Sequence, residues 1–267
     1  MSLPDRQQRL AALRDTIADI ERKPALAEAR AMVKNDAQGF PVLAGGLLQE
    51  VFTDQRRNAG AILGFALAQA RSLLSEQRLA IIYLQLAAEA QQLGLPYGPG
   101  LVSFGLAPEA LILVRTANMA ELLWAAEEAV ACRAVAAVIA DIGSPSRLLD
   151  FTASRRLSLR AAETGSSIFL LRYGAGREAS AAHLRWRLLP APSARQRYDA
   201  KAPGPLRWRA QLEKGTLIKQ TEWLLGWTEN GFSAIASQRR SQDRIAAGAP
   251  LSRAVPAVLA DRLPQAG

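Results

Sequence analysis

The stretch ALILVRTANMAELLWAAEEAVACRAVAAVIADI (residues 110–142) reads as strand, helix, strand. ALILVRT (110–116) is an apolar, β-branched run of strand length. Asn118 offers a side-chain oxygen to the first amides of a helix over Met119–Cys132. AVAAVIADI (134–142) is a second apolar run, and it closes on the acid Asp141. Two strands that are apolar on both faces, joined by a helix, predict parallel strands buried under helices.

The same rhythm extends outward. LLQEVF (47–52) is a short strand, and Asn58 to Leu74 is helical, with Ile62, Phe65, Ala66 and Leu73 on one face. RLAIIYL (78–84) and SSIFLLRY (166–173) are further buried strands, and Ser146 to Glu163 is a helix leading into the second of them. After residue 180 the helices stop. LRWRLLP (184–190), LRWRAQLE (206–213) and TEWLLGW (221–227) follow as three strands, which predicts an antiparallel extension of the sheet. Leu-Arg-Trp-Arg occurs twice, at 184–187 and 206–209. Period-two geometry puts Arg185 and Arg187 on one face and Leu184 and Trp186 on the other, with the same alternation for Arg207, Arg209 and Trp208.

Three segments are expected: a helical arm over 1–38, a core over 40–230 and a basic, flexible tail over 231–267. In the arm, Leu10, Leu13, Ile17 and Ile20 recur at spacings of three and four and form one apolar stripe. That stripe serves either as a partner interface or as a helix packed on the core. Pro24 interrupts it, and Gly45-Gly46 ends the linker before the core.

The chain has 267 residues, 49% of them apolar, and a mean hydropathy of +0.01. This is ordinary globular composition, with enough length to bury a core without disulfide or metal support. No apolar run reaches the roughly 18 residues of a membrane span, and the N-terminus is charged from Asp5. A cytoplasmic protein is expected. The single cysteine, Cys132, excludes a disulfide framework and multi-cysteine metal sites. A single histidine, His183, argues against a histidine metal cluster. Cys132 is expected in the core and His183 in a structural role.

Charge is unevenly spread. Residues 1–142 carry 13 Lys and Arg against 15 Asp and Glu, net −2, whereas residues 143–267 carry 20 against 9, net +11. The basic half suits nucleic acid or an acidic protein partner. A generally Arg-rich surface is the plainer alternative. The candidate surface comprises Arg185, Arg187, Arg195, Arg197, Arg207 and Arg209, with Lys201 in the connection and Arg239, Arg240 and Arg244 in the tail. Trp186 and Trp208 are expected to face the core, which leaves electrostatic contact without base stacking.

No catalytic constellation emerges. The strand-to-helix turn FTDQRRNAGA (52–61) stands where an α/β sheet binds phosphate. It lacks the G-x-x-x-x-G-K-[ST] pattern: there is no glycine before Gly60 and no Gly-Lys-Ser/Thr. Thr53, Arg56, Arg57 and Gly60 are what remains of a phosphate loop, and Asp141 is a residual acid whose expected role is to cap a loop or pair with an arginine. Gly174-Ala175-Gly176-Arg177-Glu178-Ala179 imitates a dinucleotide fingerprint, but it follows the last parallel strand instead of the first, so a flexible basic loop is expected. Glu127 and Glu128 are adjacent on a helix and point apart. No cofactor and no metal are expected.

The order of these pieces resembles the inducible mutagenesis protein A (ImuA) family, a degenerate form of the RecA-like ATPase core and related to SulA. The resemblance lies in GGLLQEVF (45–52), GAILGFALAQARSLL (60–74), QLGLPYGPGLVSFGL (92–106), residues 111–142, LDFTASRRLSLRAAETG (149–165), SIFLLR (167–172), LRWRLLPAPS (184–193) and LRWRAQLEK (206–214). It implies a RecA-like core with a mainly parallel sheet flanked by helices and antiparallel strands added at the C-terminal side. It also implies a non-enzymatic accessory protein of the DNA-damage (SOS) response. That protein would act in inducible error-prone translesion synthesis with a Y-family-like mutagenesis protein and an error-prone polymerase, and RecA as a further partner. The position of the RecA catalytic glutamate falls near Gln85, which is no acid. A SulA-type division inhibitor and an active RecA-like DNA-dependent ATPase are the alternatives.

Overall fold

The computed structural model describes residues 34–35, 40–193, 196, 198–199, 202–215, 222–229 and 231–235. The chain divides into Met1–Ile235 and Ala236–Gly267, and the description that follows concerns the first unit.

Its strands are β1 (Lys34–Asn35), β2 (Pro41–Val42), β3 (Leu48–Thr53), β4 (Ala80–Leu86), β5 (Leu111–Thr116), β6 (Val135–Ile142), β7 (Ser167–Tyr173), β8 (Leu184–Ala191), β9 (Arg207–Lys214), β10 (Glu222–Thr228) and β11 (Gly231–Ile235). The helices of the described residues are α1 (Ala59–Arg71), α2 (Ala87–Leu93), α3 (Gly98–Ser103), α4 (Met119–Ala131) and α5 (Phe151–Thr164). β1 and β2 form a small antiparallel pair. The other nine strands make one sheet in the order β11-β10-β9-β8-β3-β7-β6-β4-β5. All pairings from β8 to β5 are parallel, and β8-β9, β9-β10 and β10-β11 are antiparallel. This is the mainly parallel sheet with an antiparallel C-terminal side that the strand and helix pattern implies.

The alternation within each strand sends side chains to two cores. Val51, Tyr83, Ile139, Phe169 and Trp186 face α1, where they pack on Ile62, Phe65 and Ala66. Leu48, Leu84, Val138 and Leu170 face α4 and α5, against Leu122, Val130, Leu157 and Ala161. On β8, Leu184, Trp186 and Leu188 are fully buried while Arg185 and Arg187 lie on the other face; Trp208 is buried too, as its alternation requires.

Two helices, α4 and α5, start at a side-chain cap. Asn118 accepts a hydrogen bond from the Glu121 amide at 3.0 Å, and Glu121 in return accepts from the Ala117 amide at 2.9 Å. Asp150 accepts from the Ala153 amide at 2.7 Å, so α5 begins at Phe151 and not at Ser146 as its sequence suggests.

Three expectations are corrected. ALILVRT forms the outermost strand, β5, instead of a buried one, and Ile112 and Leu113 are exposed because β5 has only β4 beside it. The boundary expected at residue 230 cuts a hairpin, since Gly231–Ile235 pairs with β10. Cys132 is exposed: it follows the last turn of α4, just outside the core that Val130 enters. The stripe Leu10, Leu13, Ile17 and Ile20, and the residues from 236 onward, lie outside the described residues.

Candidate functional site

The C-terminal ends of β3, β4, β6 and β7 meet at one corner, the place where a parallel sheet receives phosphates. The turn from Thr53 to Asn58 leads into α1 through a single 3-10 turn. It is tied by its own polar groups. The Asn58 amide donates to the Gln55 carbonyl at 3.0 Å, and Asn58 Nδ2 donates to Thr53 Oγ1 at 3.2 Å.

Arg56 leaves this turn and crosses the corner. Its guanidinium donates to the Gly143 carbonyl at 2.6 Å, to Ser144 Oγ at 3.2 Å and to Gln92 Oε1 at 2.7 Å. The Gly143 amide donates to Glu89 Oε2 at 2.8 Å, so the Gly143 residue is held between an arginine and a buried carboxylate. A Cβ at Gly143 would stand 2.7 Å from the Glu89 carboxyl carbon. Arg57 and Gly60 face outward, and Gly60 has nothing within 4 Å of a Cβ position.

Asp141 neither caps a loop nor meets an arginine, the two roles expected of it; its partners are side chains of neighbouring strands. The hydroxyls of Tyr83 and Tyr173 donate to Oδ2 and Oδ1 at 2.6 and 2.8 Å, and Gln85 Nε2 donates to Oδ2 at 3.2 Å. Burial pushes the Asp141 carboxyl above its usual range, against these three hydrogen bonds, and Glu89 adds to the rise. Both tyrosines are pushed up in turn, first by burial and then by the Asp141 charge. The sequence showed only part of this arrangement. Tyr83 and Gln85 are two apart on one strand, so they share a face, and β4 lies beside β6.

A nucleoside triphosphate needs backbone amides presented by glycines, a lysine and a hydroxyl for the metal. The residues here do not fit it. The turn has no glycine before Gly60, Thr53 Oγ1 is taken by Asn58, Arg56 is spent on the Gly143 carbonyl, and both oxygens of Asp141 are filled by phenols. What the arrangement does is fasten β3, β4, β6 and β7 at one end.

Beside this corner, on the other face of the sheet, the basic residues are paired. Glu50, 2% exposed, accepts from Arg185 Nε at 2.8 Å and lies 3.7 Å from Arg172. Arg172 reaches Glu178 at 2.7 Å. Arg177 donates to Glu213 at 2.7 Å, and Asp54 takes Arg187, whose guanidinium holds the Asp54 carboxyl below its usual range. The Phe52 ring sits among three guanidiniums, with Arg177 4.0 Å above its centre and Arg172 and Arg185 at 5.6 and 5.5 Å. The segment after β7 is therefore an ion-paired loop, with no dinucleotide cradle. Four arginines meet four carboxylates here, and the expected surface contracts accordingly. Arg185 and Arg187 are engaged. Arg207 and Arg209 lie on the same face of β9, with no ion pair among the described residues. Arg195, Arg197, Lys201, Arg239, Arg240 and Arg244 lie outside the described residues. His183 is structural: its Nδ1 accepts from the Leu48 amide at 3.1 Å, and burial lowers its pKa.

Fold and corner together define an α/β protein whose phosphate-binding end is closed by its own side chains. No family profile matches the chain. Protein ImuA of Caulobacter vibrioides, in strains NA1000 / CB15N and ATCC 19089 / CIP 103742 / CB 15, is 34% identical over 167 residues, covering 57% of this chain and 66% of the relative. These matches support assigning the chain to the ImuA family, and the matched stretch spans just under two thirds of the relatives' length. Among solved structures, the crystal structure of the RadB recombinase matches with 18% identity and a TM-score of 0.47, over 72% of this chain and 92% of that one. Among the described residues no helix is long and apolar enough to cross a membrane, and no three His, Cys, Asp or Glu side chains gather as a metal site.

Proposed function

We propose that this protein is a non-catalytic accessory protein of the DNA-damage response, acting in inducible error-prone translesion synthesis beside polymerase partners. The kinship with ImuA supports the setting. The observation that carries the non-catalytic reading is Asp141, buried and saturated by Tyr83, Tyr173 and Gln85 where a nucleotide enzyme needs an open acid. A Y-family-like mutagenesis protein, an error-prone polymerase and RecA are the partner classes this reading names, and the cytoplasm is its compartment. Any contact with DNA is electrostatic; among the described residues of the expected surface it falls to Arg207 and Arg209, since Arg185 and Arg187 are neutralised within the fold.

The test is a nucleotide assay on purified protein with and without single-stranded DNA. No ATP binding and no turnover are expected. DNA-stimulated turnover that vanishes on Asp141→Ala overturns the reading. A pull-down from damaged cells, probed for polymerase components and for a division protein, tests the partner class; recovery of the division protein alone favours the SulA-type alternative.

A further inference from the structure

The alternation that turns Trp186, Trp208, Trp223 and Trp227 toward α1 sends every second residue of β8–β11 to the opposite face of the sheet. Register places Leu189, Arg209, Leu224 and Ile235 side by side across the four strands, with Ala191, Arg207, Gly226 and Ser233 in the next row. The core built by α4 and α5 stops short of this face, since it takes no residue from β8, β9, β10 or β11. An antiparallel face turned to water carries polar residues. Here three of the four positions in one row are aliphatic, and all three are half-buried. The second row is shallow, because Ala191 and Gly226 flank Arg207, so a partner's side chains can reach the sheet there.

The charges of this face are of two kinds. Arg185 and Arg187 are matched by Glu50 and Asp54. Arg207 and Arg209 are not matched: the first is half-buried, the second exposed, and neither side chain has an ion pair or a hydrogen bond among the described residues. Leu189 and Leu224 stand on either side of Arg209, so no carboxylate faces it across a strand. Glu222 stands opposite Gln211, two positions along β10 from Leu224. Two residues apart on one strand, Arg207 and Arg209 are separated by about 6.8 Å along it. Side chains at i and i+4 of a helix are separated by about 6 Å along its axis.

We propose that this face of β8–β11 docks an amphipathic helix of a partner protein, with carboxylates one turn apart on Arg207 and Arg209 and an apolar stripe on Leu224 and Ile235. A helix laid along β9 and β10 meets the charge spacing and the aliphatic row together. Nucleic acid meets the arginines alone, since the tryptophans of these strands face α1 and no aromatic ring stands among the described residues of this face to stack a base. The inference goes beyond the accessory role and does not rest on it, because it concerns only this face and holds whether or not the Asp141 corner takes a nucleotide.

The experiment is fluorescence anisotropy on the full chain with three labelled probes. The first is a helical peptide of about twenty residues, with leucines at i, i+3, i+4 and i+7 and glutamate pairs at i and i+4 along the edge of that stripe. The second has the same composition scrambled so that the stripe is lost, and the third is an oligo-dT of about the same length. The striped peptide is expected to bind, and the other two to bind at least about tenfold more weakly. Arg207→Gln with Arg209→Gln is expected to weaken the striped peptide by about tenfold or more, and so is Leu224→Gln. Arg133→Gln with Arg160→Gln removes the same charge from exposed positions elsewhere and is expected to leave binding unchanged. If Leu224→Gln does not fold, Ile235→Gln reads the same row from the edge strand. The inference is overturned if the striped peptide does not bind, if the scrambled peptide binds as well, or if the change in the aliphatic row leaves affinity unaltered. It is overturned too if oligo-dT is the tighter ligand and loses its affinity with the arginine pair, which assigns the face to nucleic acid.

Discussion

The Tyr83 hydroxyl lies 2.6 Å from Asp141 Oδ2, joining β4 to β6 at the corner of the sheet where phosphate chemistry would otherwise be placed. Removing it leaves a buried carboxylate short of a donor, so Tyr83→Phe is expected to cost about 1.5–3 kcal/mol. Tyr173→Phe acts on the same carboxylate, and a double-mutant cycle is expected to show coupling between the two. The sign with pH follows from the raised Asp141 pKa. The folded protein keeps a proton that the unfolded chain loses above 3.8, so stability falls as pH rises from 3.8 through the folded value. Tyr83→Phe removes a bond to the ionised form and extends that fall to higher pH, and Asp141→Asn flattens it. Thermal unfolding followed from about pH 4 to pH 8 reads both.

Glu50 and Asp54 both answer arginines, but at different depths. Glu50→Ala leaves Arg172 and Arg185 without their buried counter-charge, and a loss of about 3–5 kcal/mol is expected in chemical denaturation. Arg187→Ala breaks a more exposed pair and is expected to cost less than about 1 kcal/mol. Equal losses would show that depth does not separate the two pairs.

His183 provides an acid-side response. Burial lowers its pKa below 6.5, so the unfolded chain takes up a proton that the folded protein refuses. Its contribution to stability is present above 6.5 and is lost as pH falls from there through the folded value. His183→Asn is expected to remove this dependence, at a cost of about 1–3 kcal/mol if the Leu48 amide loses its acceptor. NMR titration of this single histidine gives the folded value directly.

Gly45 packs on the end of α5. A Cβ there would stand 2.3 Å from the Gly165 carbonyl oxygen, and that oxygen is backbone. Gly165 itself has φ +76° and ends α5 with its amide donating to the Ala161 carbonyl at 2.9 Å. Gly45→Ala is expected to lower stability by about 1–3 kcal/mol through overpacking, measured by urea unfolding. Gly60→Ala, in open space on α1, is the control and is expected to be neutral or stabilising.

Strand parity made most of the sheet legible. Leu-Arg-Trp-Arg placed its tryptophans inward at both occurrences, and the apolar runs of β3, β4, β6 and β7 lie where their composition puts them. The same reasoning failed for β5, because an apolar run carries no mark of how many neighbours its strand will have. It failed for β11 because GFSAI is short and alternates weakly. At the corner, the missing glycines and lysine were visible, but the partners of Asp141 were not, since they depend on β4 lying beside β6, an order set by the sheet and not by adjacency in the chain. Charge counting overstated the basic surface for a related reason: Glu50 and Asp54 sit far back in the sequence and meet β8 only through parallel pairing.

The aromatic packing under α1 also divides the protein's light emission. Trp186, Trp208, Trp223 and Trp227 share one buried cluster, with Trp186 and Trp223 rings 5.6 Å apart, while Trp124 on α4 is 66% exposed beside Leu148. Four indoles are therefore shielded from collisional quenchers and emit from an apolar medium, and one is open to iodide or acrylamide at longer wavelength. The unlabelled chain carries two optical channels, one for the integrity of its core and one for whatever approaches the groove between α4 and α5, and Trp124→Phe silences the second without touching the first.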